Sequence, residues 1–197
     1  VWQGYKSVVS NNMLSGSSIE TNIDGRHALK LHGPIPGELI AGSINLRNRS
    51  DYVIISDNVF GSSGPWPVSI GPQNGQEAEE ISNVVFERNR IATQFGMSSG
   101  NRVSVGLTIW ANRITVRNNI IDGTGSDQYY TAIVISRRGV EPPPSSIKVY
   151  NNTIYRSDNT AGTREGIQVS IDASSVEIIN NIIHFPNASI PVDYVVD

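Results

Sequence analysis

A lysine and a histidine two residues apart are the first candidates for chemistry in this sequence. Lys30 is one of only three lysines in the chain, and the two-residue period of an extended strand puts it on the same face as His32. A lysine whose pKa is lowered can act as a general base. The pair predicts a catalytic site that binds or deprotonates a uronic acid. The alternative interpretation is two solvated side chains on the outer face of a strand.

Further polar and aromatic residues fall on or beside equivalent outward positions of later strands. Aromatic rings stack on sugar rings, and guanidinium groups bind carboxylates or sulfates through paired hydrogen bonds. These residues predict a saccharide-binding groove, with surface packing and surface ion pairing as the alternative. The predicted binding residues are Trp66, Ser69, Thr108, Trp110, Tyr130, Ser136, Arg137, Arg138 and Gln168.

The acidic residues give no comparable pattern. A glycosidase needs two carboxyl groups either about 5 Å or about 6.5 to 9.5 Å apart, and no spacing in the sequence selects such a pair. The acidic run Glu77, Glu79 and Glu80 is where Ca²⁺ could bind, but it is interpreted as a solvated loop. No metal site and no cofactor are predicted.

A repeat positions these candidates. Six segments follow one pattern, apolar, any, apolar, any, polar, Asn, any, apolar, as in Arg113–Ile121 (RITVRNNII). The asparagines that anchor them are Asn12, Asn58, Asn89, Asn119, Asn152 and Asn181, which are 46, 31, 30, 33 and 29 residues apart. A further alternating strand precedes most of these segments, as in Gly106–Trp110 (GLTIW). Each repeat therefore has three short faces, called here the first strand (GLTIW and its equivalents), the second strand (before the asparagine) and the third strand (after it).

The composition favours sheets over helices. The chain of 197 residues holds 25 Ile and 19 Val against 6 Leu, together with 19 Asn and 18 Gly. Branched aliphatic residues suit pleated strands, and Asn and Gly suit corners. We therefore expect an all-β solenoid of about five to six coils, with an Asn ladder at the short second corner and Asn in left-handed backbone conformation there. The Asn spacing is too short for the blades of a β-propeller, and no six-residue rhythm of a left-handed helix is visible.

This repeat resembles those of right-handed parallel β-helix proteins of the pectate-lyase-like superfamily. The segments Gly25–Gly33 (GRHALKLHG) and Trp66–Gln76 (WPVSIGPQNGQ) are most similar to uncharacterised bacterial parallel β-helix repeat proteins. The resemblance implies a ligand groove along the first strands, flanked by long loops. The WxDH and RxPxxR signatures of pectate lyases, the NTD, GHG and RIK set of polygalacturonases and the motifs of pectin methylesterases have no equivalent here.

Two function classes stay open at this stage. One is a protein that recognises or processes polysaccharide, as a uronate lyase or a glycosidase of unassigned specificity. The other is a non-catalytic saccharide-binding or surface-structural solenoid. Residues 1–197 are interpreted as a single parallel β-helix domain, which could be part of a longer protein.

Charge and hydropathy limit the partners. The net charge is −3 and the arginines are scattered, so nucleic acid is not expected as a partner. No apolar run approaches the roughly 20 residues that span a bilayer. The absence of cysteine fits a bacterial extracellular or periplasmic protein, and we expect any signal peptide to lie outside this sequence. Uncapped coil ends would allow end-to-end self-association.

Overall fold

A computed structural model of the protein describes ten segments of the chain. They are residues 6–14, 28–31, 49–61, 67–71, 80–92, 104–125, 130–137, 142–157, 164–185 and 190–195, with the backbone alone at 49, 80, 104, 164 and 190–195. Within these segments the regular structure is entirely β. None of them contains a helix long and apolar enough to cross a membrane.

Eighteen strands, numbered β1 to β18 in chain order, form three sheets within the described segments. The first sheet contains β3 (Leu29–Leu31), β6 (Val68–Ile70), β9 (Ser104–Ile109), β12 (Tyr130–Ile135), β15 (Arg164–Ser170) and β18 (Ile190–Val195). The second sheet contains β1 (Val8–Ser10), β4 (Arg49–Ser56), β7 (Glu80–Glu87), β10 (Asn112–Arg117), β13 (Ser145–Tyr150) and β16 (Ser174–Ile179). The third sheet contains β2 (Met13–Leu14), β5 (Val59–Phe60), β8 (Arg90–Ala92), β11 (Ile120–Asp122), β14 (Thr153–Tyr155) and β17 (Ile182–His184).

All three sheets are parallel, and every strand pairs with the strand three places along the chain. The registers keep equivalent residues of successive repeats side by side, as where Val84 pairs with both Val53 and Ile114. This all-β, three-sheet parallel architecture agrees with the fold class predicted from the sequence.

The interior holds the apolar residues that the repeat assigned to it. The inward pairs of the first strands are buried from Leu29 and Leu31 to Ile167 and Val169. The inward residues of the second and third strands are also buried from the second repeat to the fifth, and the rings of Phe60 and Phe86 stack with centroids 5.8 Å apart. In the last repeat the equivalent residues are only partly buried: Val176, Ile178 and Ile183.

The predicted asparagine ladder is confirmed at the corner between the second and third sheets. Taking Asn119 as the example, its Oδ1 accepts hydrogen bonds from the backbone N and the Nδ2 of Asn89 at 2.9 and 3.2 Å. Its Nδ2 donates to the Phe86 carbonyl and to Asn152 Oδ1, both at 2.9 Å. The same pattern links the six anchors, so the amide groups form one hydrogen-bonded row.

The left-handed backbone at this corner belongs to the residue before each anchor. The sequence led us to expect left-handed Asn at this corner, and positive φ angles of 52 to 58° are found one position before each anchor. These residues are Asn11, Asp57, Arg88, Asn118, Asn151 and Asn180. A second left-handed row lies six residues before the anchors, in the second sheet: Lys6, Tyr52, Asn83, Arg113, Ser146 and Ser175.

Candidate functional site

The predicted binding row of the first sheet is aligned in register across five strands. The register places Lys30, Ser69, Thr108, Val134 and Gln168 side by side in that order. Lys30, Val134 and Gln168 are half-buried, whereas the side chains of Ser69 and Thr108 are almost fully buried. The row is therefore not a continuous open surface.

The two buried hydroxyl groups of this row differ in their contacts. Thr108 Oγ1 donates a long hydrogen bond of 3.4 Å to the Val68 carbonyl. Ser69 Oγ has no hydrogen-bond partner within the described segments. In this structure neither side chain is exposed enough to contact a ligand directly.

Trp110 is held between neighbouring repeats at the carboxyl end of the first strands. Its indole Nε1 donates a hydrogen bond of 3.1 Å to Ser136 Oγ in the next repeat, and its side chain stays half-buried. On the other side it packs over Gly71, where a Cβ would lie 2.6 Å from Trp110 Cβ. The absence of a side chain at Gly71 therefore lets Trp110 pack closely against the preceding repeat.

A charged pair adjoins Trp110 and Ser136. Arg137 Nε lies 3.1 Å from Asp172 Oδ2, and Ser170 Oγ donates a hydrogen bond of 2.7 Å to Asp172 Oδ1. Ser136 and Ser170 follow residues that pair directly in β12 and β15. We call this set, Trp110, Ser136, Arg137, Ser170 and Asp172, the first-sheet patch.

The first-sheet patch combines an aromatic ring with fixed hydrogen-bonding groups. Asp172 Oδ1 accepts the hydrogen bond from Ser170 and Oδ2 pairs with Arg137, so the carboxylate group is held in one orientation. The guanidinium of Arg137 is half exposed and retains N–H donors beyond the Nε that pairs with Asp172. The patch contains a single carboxylate, so its own residues do not supply the acid pair that a glycosidase uses.

Lys30, the described member of the predicted catalytic pair, is separated from this patch. Lys30 lies in β3, two strands away from β9, which at the usual strand spacing is about 10 Å. The side chain of Lys30 is half-buried. The predicted site residues His32, Trp66 and Arg138 lie outside the described segments, as does the acidic run at Glu77 and Glu79.

Tyr130 does not lie on the outer face where we expected it. Its side chain is 1% exposed and belongs to the core. The ring occupies the space over Gly123, where a Cβ would lie 2.4 Å from Tyr130 Cε1, and it packs against Phe185 with centroids 6.1 Å apart. Because its ring fills the interior, Tyr130 does not line a surface groove in this structure.

A cleft of about 370 Å³ opens on the outer face of the second sheet, where the sequence predicted no site. Six polar or aromatic residues that line it come from four successive repeats: Tyr52, Asn83, Arg113, Thr115, Ser146 and Lys148. We call it the second-sheet cleft. Four of these six residues belong to the left-handed row described above, six residues before the anchoring asparagines. That constant distance is the sequence signal by which the four could have been grouped.

Other charged residues of the second sheet neutralise one another. Arg88 forms a paired interaction with Asp57, Nε to Oδ1 at 2.8 Å and Nη2 to Oδ2 at 2.9 Å, and also contacts Glu87. Arg117 Nε lies 2.6 Å from Glu87 Oε2. The hydrogen bond from Arg88 lowers the pKa of Asp57.

Glu87 is the buried member of this network. Burial by itself raises the pKa of the Glu87 carboxyl, but hydrogen bonds from Arg117 and Arg88 outweigh it and the pKa is lowered. On the third sheet, the hydrogen bond of 2.7 Å that Tyr155 donates to Asp122 raises the pKa of the tyrosine. These charged and tyrosine side chains bond to one another and do not gather around one point where a substrate could bind. This arrangement favours a structural role.

The described segments contain no group of three histidine, cysteine or acidic side chains arranged to hold a metal ion. Comparison of the chain with protein-family models, with curated proteins and with solved structures gives no match.

Proposed function

We propose that this protein is a right-handed parallel β-helix that recognises a polysaccharide through the first-sheet patch. The observation that carries the proposal is the Trp110 indole, anchored by Ser136 yet only partly buried, beside the Arg137–Asp172 pair. An aromatic face with adjacent oriented donors and acceptors is the combination that suits sugar rings and their hydroxyl groups.

The strand order supports the β-helix. Each strand pairs with the one three places along, so that every third strand returns to the same sheet beside its predecessor. Connections between adjacent parallel strands of one sheet are right-handed in about 98% of cases, which favours a right-handed winding. The asparagine row links the same corner of all six repeats, which supports stacked coils of either hand.

Recognition without cleavage is the form of the proposal that the patch favours. Its one carboxylate is held by Ser170 and Arg137, and Lys30 lies about two strands away. A uronate lyase or glycosidase would require catalytic groups outside the patch. A polysaccharide ligand also fits a bacterial protein located outside the cytoplasm.

The test is binding to a panel of neutral and acidic polysaccharides, measured by affinity electrophoresis and titration calorimetry. We expect Trp110→Ala to weaken binding about tenfold, which corresponds to about 1.4 kcal/mol. Trp110→Phe keeps a ring and should lose less. The control is Ile120→Ala, which removes an exposed side chain from the third sheet.

Two outcomes would contradict the proposal. If Trp110→Ala binds every ligand of the panel as the wild type does, the patch is not the binding site. If the wild-type protein releases unsaturated or reducing sugar ends, the protein is an enzyme and recognition without cleavage is wrong.

A further inference from the structure

We propose that the second-sheet cleft is a second binding site, which takes the carboxylate groups of an acidic polysaccharide. The proposal deepens the polysaccharide recognition proposed above and rests on it. The cleft lies on a different sheet from the first-sheet patch, and its residues share none with that patch.

The charge of the cleft differs from that of the chain. Arg113 and Lys148 line it, and none of its lining residues is acidic, although the chain has a net charge of −3. Two cations facing one open cavity without a carboxylate favour an anionic ligand over a neutral one.

Arg113 is oriented but not neutralised. Its Nε donates a hydrogen bond of 3.2 Å to Asn83 Oδ1, which holds the guanidinium against the left-handed row. Within the described segments Arg113 forms no ion pair, whereas Arg88 and Arg117 on the same sheet are bonded to Asp57 and Glu87. Because guanidinium groups bind carboxylates in a planar, two-bond geometry, Arg113 is the residue of this cleft best suited to a uronate.

Lys148 supplies a second cation that a ligand can recruit. Its Nζ lies 3.3 Å from Glu177 Oε2, and both side chains are more than half exposed. Such an exposed pair contributes little to stability, so a ligand carboxylate can replace Glu177 at small cost.

Tyr52 gives the cleft an aromatic end. Its side chain is 55% exposed, and its φ of 55° is rare for a bulky residue. Tyr52 and Arg113 lie two strands apart and Lys148 one strand further, which places Arg113 about 10 Å and Lys148 about 14 Å from Tyr52 along the sheet. A ring and two cations spread over that distance fit an extended chain of sugar units better than a single small anion.

The experiment compares an oligogalacturonate of defined length with its methyl-esterified, neutral counterpart by titration calorimetry. We expect Arg113→Gln to weaken binding of the acidic oligosaccharide about fivefold to tenfold and to reduce its dependence on salt, with little change for the neutral one. Lys148→Gln should have a smaller effect in the same direction. The control is Arg90→Gln, which makes the same charge change at an exposed arginine of the third sheet.

The outcomes separate this inference from the proposed function. If Trp110→Ala loses both oligosaccharides while Arg113→Gln and Lys148→Gln bind as the wild type, the cleft proposal fails and the patch stands. If Arg113→Gln loses the acidic ligand and Trp110→Ala loses nothing, the patch fails and the cleft stands. Poly-glutamate of equal charge is the competitor that tests for a saccharide. If it displaces the bound ligand as well as oligogalacturonate does, the assignment of the cleft to a saccharide is overturned.

Discussion

The asparagine row and the outer face of the first sheet are built from the same repeats but differ in how uniform they are. At the corner, every repeat places the same residue in the same hydrogen bonds. On the outer face, aligned positions hold a different residue in each repeat, as in Lys30, Ser69, Thr108 and Val134. Uniformity marks the positions that the stacking of repeats requires, and variation marks positions that the stacking leaves free.

Physical chemistry explains why the corner tolerates no variation. Asn119 is 1% exposed, and its amide satisfies backbone and side-chain groups of the repeats on both sides. A buried polar group that loses its partner costs about 1 to 3 kcal/mol. Replacing one anchor leaves several such groups unsatisfied at once.

The largest expected effect is therefore at this corner. Asn119→Ala should lower the free energy of unfolding by about 4 kcal/mol, because it removes the four hydrogen bonds of the side chain and leaves a cavity. Urea unfolding measures this change. The matched control is Asn118→Ala, next in the chain but exposed, which should cost about 1 kcal/mol from the left-handed backbone alone. If Asn119→Ala and Asn118→Ala lower the free energy of unfolding equally, the buried asparagine row does not stabilise the fold more than its exposed neighbours do.

A smaller effect is expected at the charged network of the second sheet. Glu87 accepts hydrogen bonds from Arg88 and Arg117, and its pKa is lowered from 4.5. A lowered pKa means that the carboxylate stabilises the fold above about pH 4.5 and that this stability is lost as the pH falls further. Glu87→Gln should therefore cost about 2 kcal/mol at pH 7 and progressively less in acid.

Chemical unfolding at several pH values tests this dependence. Glu177→Gln is the control, because Glu177 is half exposed and its pair with Lys148 should contribute less than about 0.5 kcal/mol. The free energy of unfolding of wild type and of Glu87→Gln is compared from pH 7 to pH 3. If the difference between them stays constant, the arginine hydrogen bonds do not stabilise the ionised form.

The architecture was predictable because the repeat makes a local signal recur. Alternation identified inward residues such as Val84 and Phe86, and six copies of the asparagine pattern identified the ladder. The sequence did not indicate which corner residue takes the left-handed φ, because both residues of an Asn-Asn pair tolerate that conformation and at two corners Asp57 and Arg88 adopt it.

The candidate sites were less predictable because they depend on distant packing. Alternation indicates which face Ser69 and Thr108 point to but not whether that face is covered. The position of Tyr130 depends on the missing side chain of Gly123, a contact that strand periodicity does not encode. The second-sheet cleft was missed because its residues differ in type, and only their common distance from the asparagine anchors relates most of them in the sequence.

Side-chain amide exchange measured by NMR tests the central claim most directly. Asn118 and Asn151 are exposed, and each is followed at once by a buried anchor, Asn119 and Asn152. The account predicts that the Nδ2 protons of the two anchors exchange with water much more slowly than those of their exposed neighbours. Similar exchange rates within each pair would contradict the buried ladder, and with it the structure on which both binding proposals depend.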